Sequence, residues 1–287
     1  MAAPDQSRLA VRADVLRRIR AFFDARGFLE VETPVRIPAP APEPHIDCPA
    51  SGAWFLRASP ELQMKKLLAA GFERIWQMGP CFREGEKGRR HSPEFTMLEW
   101  YRARADYLDI LADMEALVAD VLRAFPVCGV AVPEGGFRRL TVREAYRTLA
   151  GWDPFAQWDQ DRFDEDMALK IEPNLPREPT FLMDYPPAAA SLSKLRGDVA
   201  ERWELYVNGL ELANAFTELT DAAEQRRRFE AARAERRALG EADYPLDEDF
   251  LRLLQFMPPA GGVALGVDRL VMLAAGVSDI ADIRVAP

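Results

Sequence analysis

Two stretches of this chain hold residue types that do chemistry. FREGEKGRRHSPEFTMLEWY, residues 82–101, brings Arg83, Glu84, Glu86, His91, Phe95, Glu99 and Tyr101 close together. GGVALGVDRLVML, residues 261–273, adds Arg269 beside a glycine-rich turn. Glu99 and Tyr101 stand two apart in a segment that reads as a strand, so they project from one face. A carboxylate beside a phenol suits a primary ammonium ion, with charge from one and a hydrogen-bond acceptor from the other. A cross-strand ion pair would use the same Glu99. Taken together, the two blocks predict a site that grips a nucleoside triphosphate and a small cationic substrate. That is the equipment for activating a carboxylate with ATP.

Two further groups point the same way. LELANAFTELTD, residues 210–221, places Glu211, Asn214 and Glu218 in an otherwise apolar stretch. Buried carboxylates are costly unless paired or bound to a cation, a need that Mg²⁺ with ATP would meet. Strict alternation puts Asn214 and Glu218 on one face and Glu211 on the other, so a shared site requires a bulge or bend. Ser59-Pro60-Glu61 sits at a strand-to-helix junction, where Glu61 can turn inward towards an amine or favour the helix dipole.

The elements that must position these groups are legible in outline. Val11, Val15, Ile19 and Phe22/Phe23 recur at helical spacing, with Gly27 as the stop. FLEVETPVRIP (28–38) reads as extended until Pro34 ends regular pairing, and APAPEPHIDCP (39–49) as a proline-rich loop. WFLRAS (54–59) reads as a strand and PELQMKKLLAAG (60–71) as a helix closing at Gly71. Residues 73–82 and 95–101 read as strands around a charged loop containing Gly85 and Gly88. Leu108, Leu111, Leu117, Val121 and Leu122 predict a helix over 105–125. Residues 126–200 are broken by Pro, Gly and acids and predict only short helices. WELYVNGLELANAFTEL (203–219) predicts two strands about an Asn208-Gly209 turn. A strongly charged helix over 221–239 follows, then a glycine-turned strand and a helix from Val267 to Ala275. Without an internal repeat or flexible linker, the prediction is one α+β domain over 1–287, a mostly antiparallel sheet flanked by helices.

Composition sets outer limits. A net charge of −9 argues against a broad nucleic-acid-binding surface, although basic residues cluster at 83–104 and 226–237. Cys48, Cys81 and Cys128 lack metal-ligand spacing, and their odd, low count suits reduced thiols in the cytoplasm. His45 and His91 cannot build a multi-histidine metal site. No run approaches the roughly 18 apolar residues of a membrane span, and none at the N-terminus is of signal-peptide type.

These residues, in this order, resemble the catalytic core of the class II aminoacyl-tRNA synthetases, in particular the lysyl branch. FLEVETP resembles the first family motif, with Pro34 at a dimer interface. FREGEKGRRHSPEFTMLEWY resembles the second and GVALGVDRLVML the third. RASPELQMKKLL, GFERIWQMGPCFR and GLELANAFTELTD strengthen the lysyl likeness, which spans about residues 10–280 and is weakest over 126–200. The resemblance implies a homodimer that uses ATP and Mg²⁺. It implies that Arg83 holds the α-phosphate and substrate carboxylate, and that Phe95 stacks on adenine with Arg269 over the other face. Glu84, Gly85, Glu86, His91, Ser92, Leu212 and Gly266 would complete the ATP site. Glu211 and Glu218 would bind Mg²⁺, and Glu218 would also face the amino acid. Ser59, Pro60 and Glu61 would take the amino group near the carboxylate, and Glu99 with Tyr101 the distal ammonium. Asn214 and Ala264 would line that pocket.

Two departures stand out. The family's second motif commonly reads Arg-x-Glu, where this chain has Gly85 flanked by Glu84 and Glu86, either of which could reach adenine. The usual His-Asn-Pro is His91-Ser92-Pro93. Lysyl-tRNA synthetases also carry an anticodon-binding barrel ahead of this core, whereas the chain begins at the first core helix. That wording is similar to a stand-alone branch passing lysine or β-lysine to a lysine side chain of elongation factor P. No tRNA and no membrane partner is expected. A truncated synthetase acting on tRNA and a non-catalytic regulator are the alternatives.

Overall fold

The computed structural model describes residues 5–285, except the side chain of Cys128, so the reading of that thiol lies outside the described residues. Helix α1 (Gln6–Asp24) opens the fold, with the Asp5 carboxylate accepting from the Ser7 amide. Its Val15, Ile19, Phe22 and Phe23 are buried, and Phe23 stacks on Trp76 at 4.8 Å. Strands β1 (Leu29–Glu30), β2 (Arg36–Ile37), β3 (Ala50–Ser51) and β4 (Trp54–Leu56) precede α2 (Glu61–Ala69). Strands β5 (Arg74–Phe82) and β6 (Glu94–Ala103) form the long hairpin, and α3 (Tyr107–Ala124) follows it.

The stretch 126–200 holds more than the short helices α4 (Val142–Ala145) and α5 (Gln160–Asp166). It also supplies β7 (Arg138–Thr141), β8 (Thr180–Tyr185), β9 (Leu195–Arg196) and the start of β10 (Val199–Val207), which corrects the helical expectation. In TFLMDY every residue but Asp184 is buried, and a strand covered on both faces carries no alternation to betray it. Strand β11 (Leu210–Thr217) follows across Asn208 and Gly209, both at positive φ (53° and 70°), as a two-residue hairpin turn requires. Helices α6 (Ala222–Leu239) and α7 (Glu248–Leu254), strand β12 (Ala260–Gly266) and helix α8 (Val267–Ala275) complete the chain. Helix α7 was not anticipated, and Leu108 of α3, read as a core position, is 42% exposed.

The main sheet runs β1-β5-β6-β12-β11-β10-β8-β7, with β9 on β10, and β2-β4-β3 forms a small second sheet. Pairing is antiparallel except at the two edges, β1 on β5 and β7 on β8. One face of the main sheet packs on α1, α3 and α8 through Leu98, Trp100, Trp203, Leu205, Ala213, Ala215, Val263 and Leu265. Alternation therefore turns Met97, Glu99 and Tyr101 of β6, with Arg202, Glu204 and Tyr206 of β10, to the opposite face. That face is the floor of the cavity described next.

Candidate active site

A cavity of about 340 Å³ opens over β6, β12 and β11. Asn214, Phe216 and Glu218 reach it by alternation, and Glu211 joins them because β11 is bulged. Leu205 pairs with Ala213 while Tyr206 pairs with Glu211, leaving Leu212 as the extra residue. Leu212 and Ala213 both face the core as a result, and Glu211 swings to the side of Asn214. The irregularity that a shared site demanded is present.

One end of the cavity is acidic. Glu99 is 1% exposed. It accepts from Ser59 Oγ at 2.6 Å and from Tyr101 Oη at 2.9 Å. Burial, then the charge of Glu61, pushes its carboxyl up to about 8. Ser59 Oγ also accepts the Glu61 amide at 2.9 Å, which fixes the start of α2. Lys65, one turn along α2 and 1% exposed, pairs with Glu61 and reaches Glu218 at 2.6 Å. Burial opposes its charge, but Glu218 and Glu61 hold its pKa above the usual lysine value. Glu218 is raised to about 7, burial outweighing the pull of Lys65. Gly262 has no room for a side chain, since a Cβ there would lie 2.3 Å from Glu218 Oε1 and from the Tyr101 ring.

The other end is basic. Arg269 donates to the Glu211 carbonyl at 2.8 Å, approaches its Oε2 at 3.4 Å and lies 2.7 Å from His91 Nε2. Burial, then the charge of Arg269, lowers the His91 pKa, so the neutral ring accepts. Arg83 lies 5.3 Å from the Phe95 ring centroid and 3.3 Å from Glu86. Both Arg83 and Arg269 line the cavity with Ser92, Phe95 and Gly266.

Both carboxylates expected to hold Mg²⁺ line the cavity. Glu211 stands at the start of β11 and Glu218 just past its end. Glu218 belongs to Lys65. Burial, then the charge of Glu204 of β10, raises Glu211 to about 7, with Glu172 adding to the rise and Arg269 opposing it. Glu204 itself pairs with Arg202 at 2.5 Å and accepts from the Tyr206 hydroxyl at 2.7 Å. Among the described residues no group of three or more His, Cys, Asp or Glu could hold a metal by itself.

Of the other expected residues, Ala264 and Asn214 line the cavity, Ala264 of β12 standing in register between Asn214 of β11 and Glu99 of β6. Pro60, Glu84 and Gly85 do not line it. Leu212 lines it only along its main chain, since its side chain is in the core. Lys65, Arg202, Glu204, Glu43 and Gly262 were missed. The i, i+4 spacing of Glu61 and Lys65 on a helix was the available signal for the first, and the alternation of Arg202 with Glu204 for the next two.

Comparison with known proteins bears on this geometry. The family described as tRNA synthetases class II (D, K and N) matches residues 2–287. The chain belongs to this family. Class II synthetases are AMP-forming ligases, and the chain is an enzyme of that class. It is 39% identical to the elongation factor P–(R)-β-lysine ligase of Proteus mirabilis, over 97% of this chain and 94% of that protein. The ligase of the same name from Vibrio cholerae is 37% identical, over 98% and 95%. The lysine–tRNA ligase of Moorella thermoacetica is 40% identical over 96% of this chain and 64% of that protein. As in class II synthetases generally, the sheet is mixed and flanked by helices. Among the described residues no helix is long and apolar enough to cross a membrane.

Proposed function

We propose that this enzyme activates (R)-β-lysine or lysine with ATP as an aminoacyl adenylate and transfers it to a lysine ε-amine of elongation factor P. The observation that carries the reading is one cavity with an ammonium receptor, Glu99 with Tyr101, at one end and Arg83 and Arg269 at the other. The near end-to-end likeness to ligases named for elongation factor P supports the acceptor.

In this reading the buried Glu99 carboxylate and the Tyr101 hydroxyl take the distal ammonium, while Glu61 and Asn214 face the rest of the amino acid. Arg83 holds the substrate carboxylate against the α-phosphate and neutralises charge that builds as that oxygen attacks phosphorus. Phe95 supplies a face for adenine, and Glu86, the only one of the two flanking acids that lines the cavity, is placed for its amino group. Arg269 and His91 meet the terminal phosphates. Glu211 and Glu218, which both line the cavity, would hold Mg²⁺, which supplies positive charge to the triphosphate when bound. No side chain needs to act as a covalent nucleophile. The acceptor amine displaces AMP from the acyl carbon once it has lost its proton.

We read the chain as a single catalytic domain that pairs as a homodimer through the segment around Pro34 and works in the cytoplasm. The likeness to a lysine–tRNA ligase keeps tRNA as the second reading of the acceptor. The test is mass spectrometry of elongation factor P after incubation with enzyme, ATP and each lysine isomer, beside the same reaction with tRNA. A mass increase of one lysyl group on elongation factor P is expected. Charging of tRNA with no change in elongation factor P would replace the proposal by the second reading.

A further inference from the structure

Glu43 is the one carboxylate at the acidic end of the cavity with no hydrogen bond or ion pair among the described residues. Glu99 has Ser59 and Tyr101, while Glu61 and Glu218 share Lys65. Glu43 enters from the loop between β2 and β3, and that loop is held from outside. Arg236 of α6 is fully buried and donates to the carbonyls of Glu43 at 2.8 Å and Ile46 at 3.1 Å. It also reaches Asp47 Oδ1 at 2.5 Å and Glu241 at 3.0 Å, over the face of Tyr244. The Tyr244 hydroxyl accepts the Cys48 amide at 2.8 Å, and the Asp47 carbonyl accepts the Glu84 amide at 2.7 Å. The main chain that presents Glu43 is therefore fixed before any ligand arrives, so little ordering entropy is left to lose on binding.

Charge decides what such a group could meet. Glu43, Glu61, Glu99 and Glu218 line this end of the cavity, and Lys65 pairs with Glu61 and Glu218 alone. The charges that act on Glu43 are Glu61, Arg83, Arg202 and Lys65, which sets it between the ammonium receptor and the arginine that faces the reacting carboxylate. Burial, then the charge of Glu61, raises its carboxyl and outweighs the pull of Arg83, Arg202 and Lys65, none of which pairs with it directly among the described residues. A diamino acid brings two ammonium groups, and Glu99 accounts for one.

We propose that Glu43 receives the second ammonium of a diamino-acid substrate, the one nearer the carboxylate, and so sets the preference for diamino over monoamino acids. The proposal rests on the adenylation reading above. Among monoamino acids, 6-aminohexanoate keeps the distal ammonium and the carboxylate of lysine but lacks the second amine. In ATP–pyrophosphate exchange, Glu43→Gln, which preserves shape, should lower the ratio of kcat/KM for a lysine isomer to that for 6-aminohexanoate by at least about 10-fold. Glu43→Asp keeps the charge and should give an intermediate ratio. A ratio unchanged in Glu43→Gln, including equal losses on both substrates, overturns the assignment. If that variant activates neither, the ratio of Kd values from calorimetry is judged by the same criterion. Wild-type enzyme inactive with every lysine isomer would instead defeat the adenylation reading, a separate and distinguishable failure.

Discussion

Glu99 makes the acidic end of the cavity sensitive to pH, with a sign opposite to that of an ordinary paired carboxylate. Its carboxyl is raised from 4.5 to about 8 because it is buried and sits near Glu61, against the pull of Ser59 and Tyr101. Proton and substrate ammonium compete for the same oxygens. With a value near 8, about 1% of the empty sites are ionised at pH 6 and about half at pH 8. If lysine binds the ionised form, its apparent affinity should rise roughly fifty-fold over those two units. The substrate ammonium itself stays charged throughout. Glu218, raised to about 7, adds a component that saturates about one unit earlier. The assay is lysine KM in pyrophosphate exchange, or Kd by calorimetry, from pH 6 to pH 9 in wild type and Glu99→Gln. Stability has a sign of its own. The folded value lies above the unfolded one, so folding takes up a proton between about 4.5 and about 8, and the empty enzyme loses stability as pH rises through that window. Bound lysine should offset that loss. A KM flat from pH 6 to pH 8, or a slope that survives intact in Glu99→Gln, would refute the reasoning.

Three other substitutions separate the parts of the site. Lys65→Met leaves Glu61 and Glu218 buried without their cation, a loss of about 3–5 kcal/mol in denaturant titration, and Lys65→Met/Glu218→Gln should regain part of it. Strict additivity of the two changes would contradict the pairing. Gly262→Ala forces a methyl against Glu218 and Tyr101. Lysine activation should fall roughly 10- to 100-fold in pyrophosphate exchange, and wild-type rates would mean that the strand yields without cost. Glu86→Ala should raise the ATP KM while Glu84→Ala does not, because only Glu86 lines the cavity. Equal effects at the two positions would assign adenine recognition elsewhere.

Local chemistry was the legible part. The Glu99–Tyr101 pair needed only the two-residue period of a strand, and both side chains share the cavity. The Asn208-Gly209 turn and the helices over α1, α2, α3, α6 and α8 followed from periodicity and stop residues. Where alternation was lost, the reading failed, as in β8. Helix α7, with its seven residues, offers too few turns for periodicity to stand out.

By itself the sequence determined which groups are available: two arginines, a phenol, a set of carboxylates in apolar surroundings, and the order that aligns them with class II synthetases. Only tertiary structure decided which of them meet. The bulge at Leu212 is set by pairing with β10, a partner that no window of β11 contains, and it brings Glu211 to the cavity face. The same hairpin brings the charge of Glu204 to bear on Glu211, and the docking of α2 on β6 gives Glu218 to Lys65. Glu43 looked like one more acid in a proline-rich loop until Arg236, about 190 residues away, fixed that loop against the cavity. Contacts at that separation depend on how the chain closes on itself, which local periodicity does not encode.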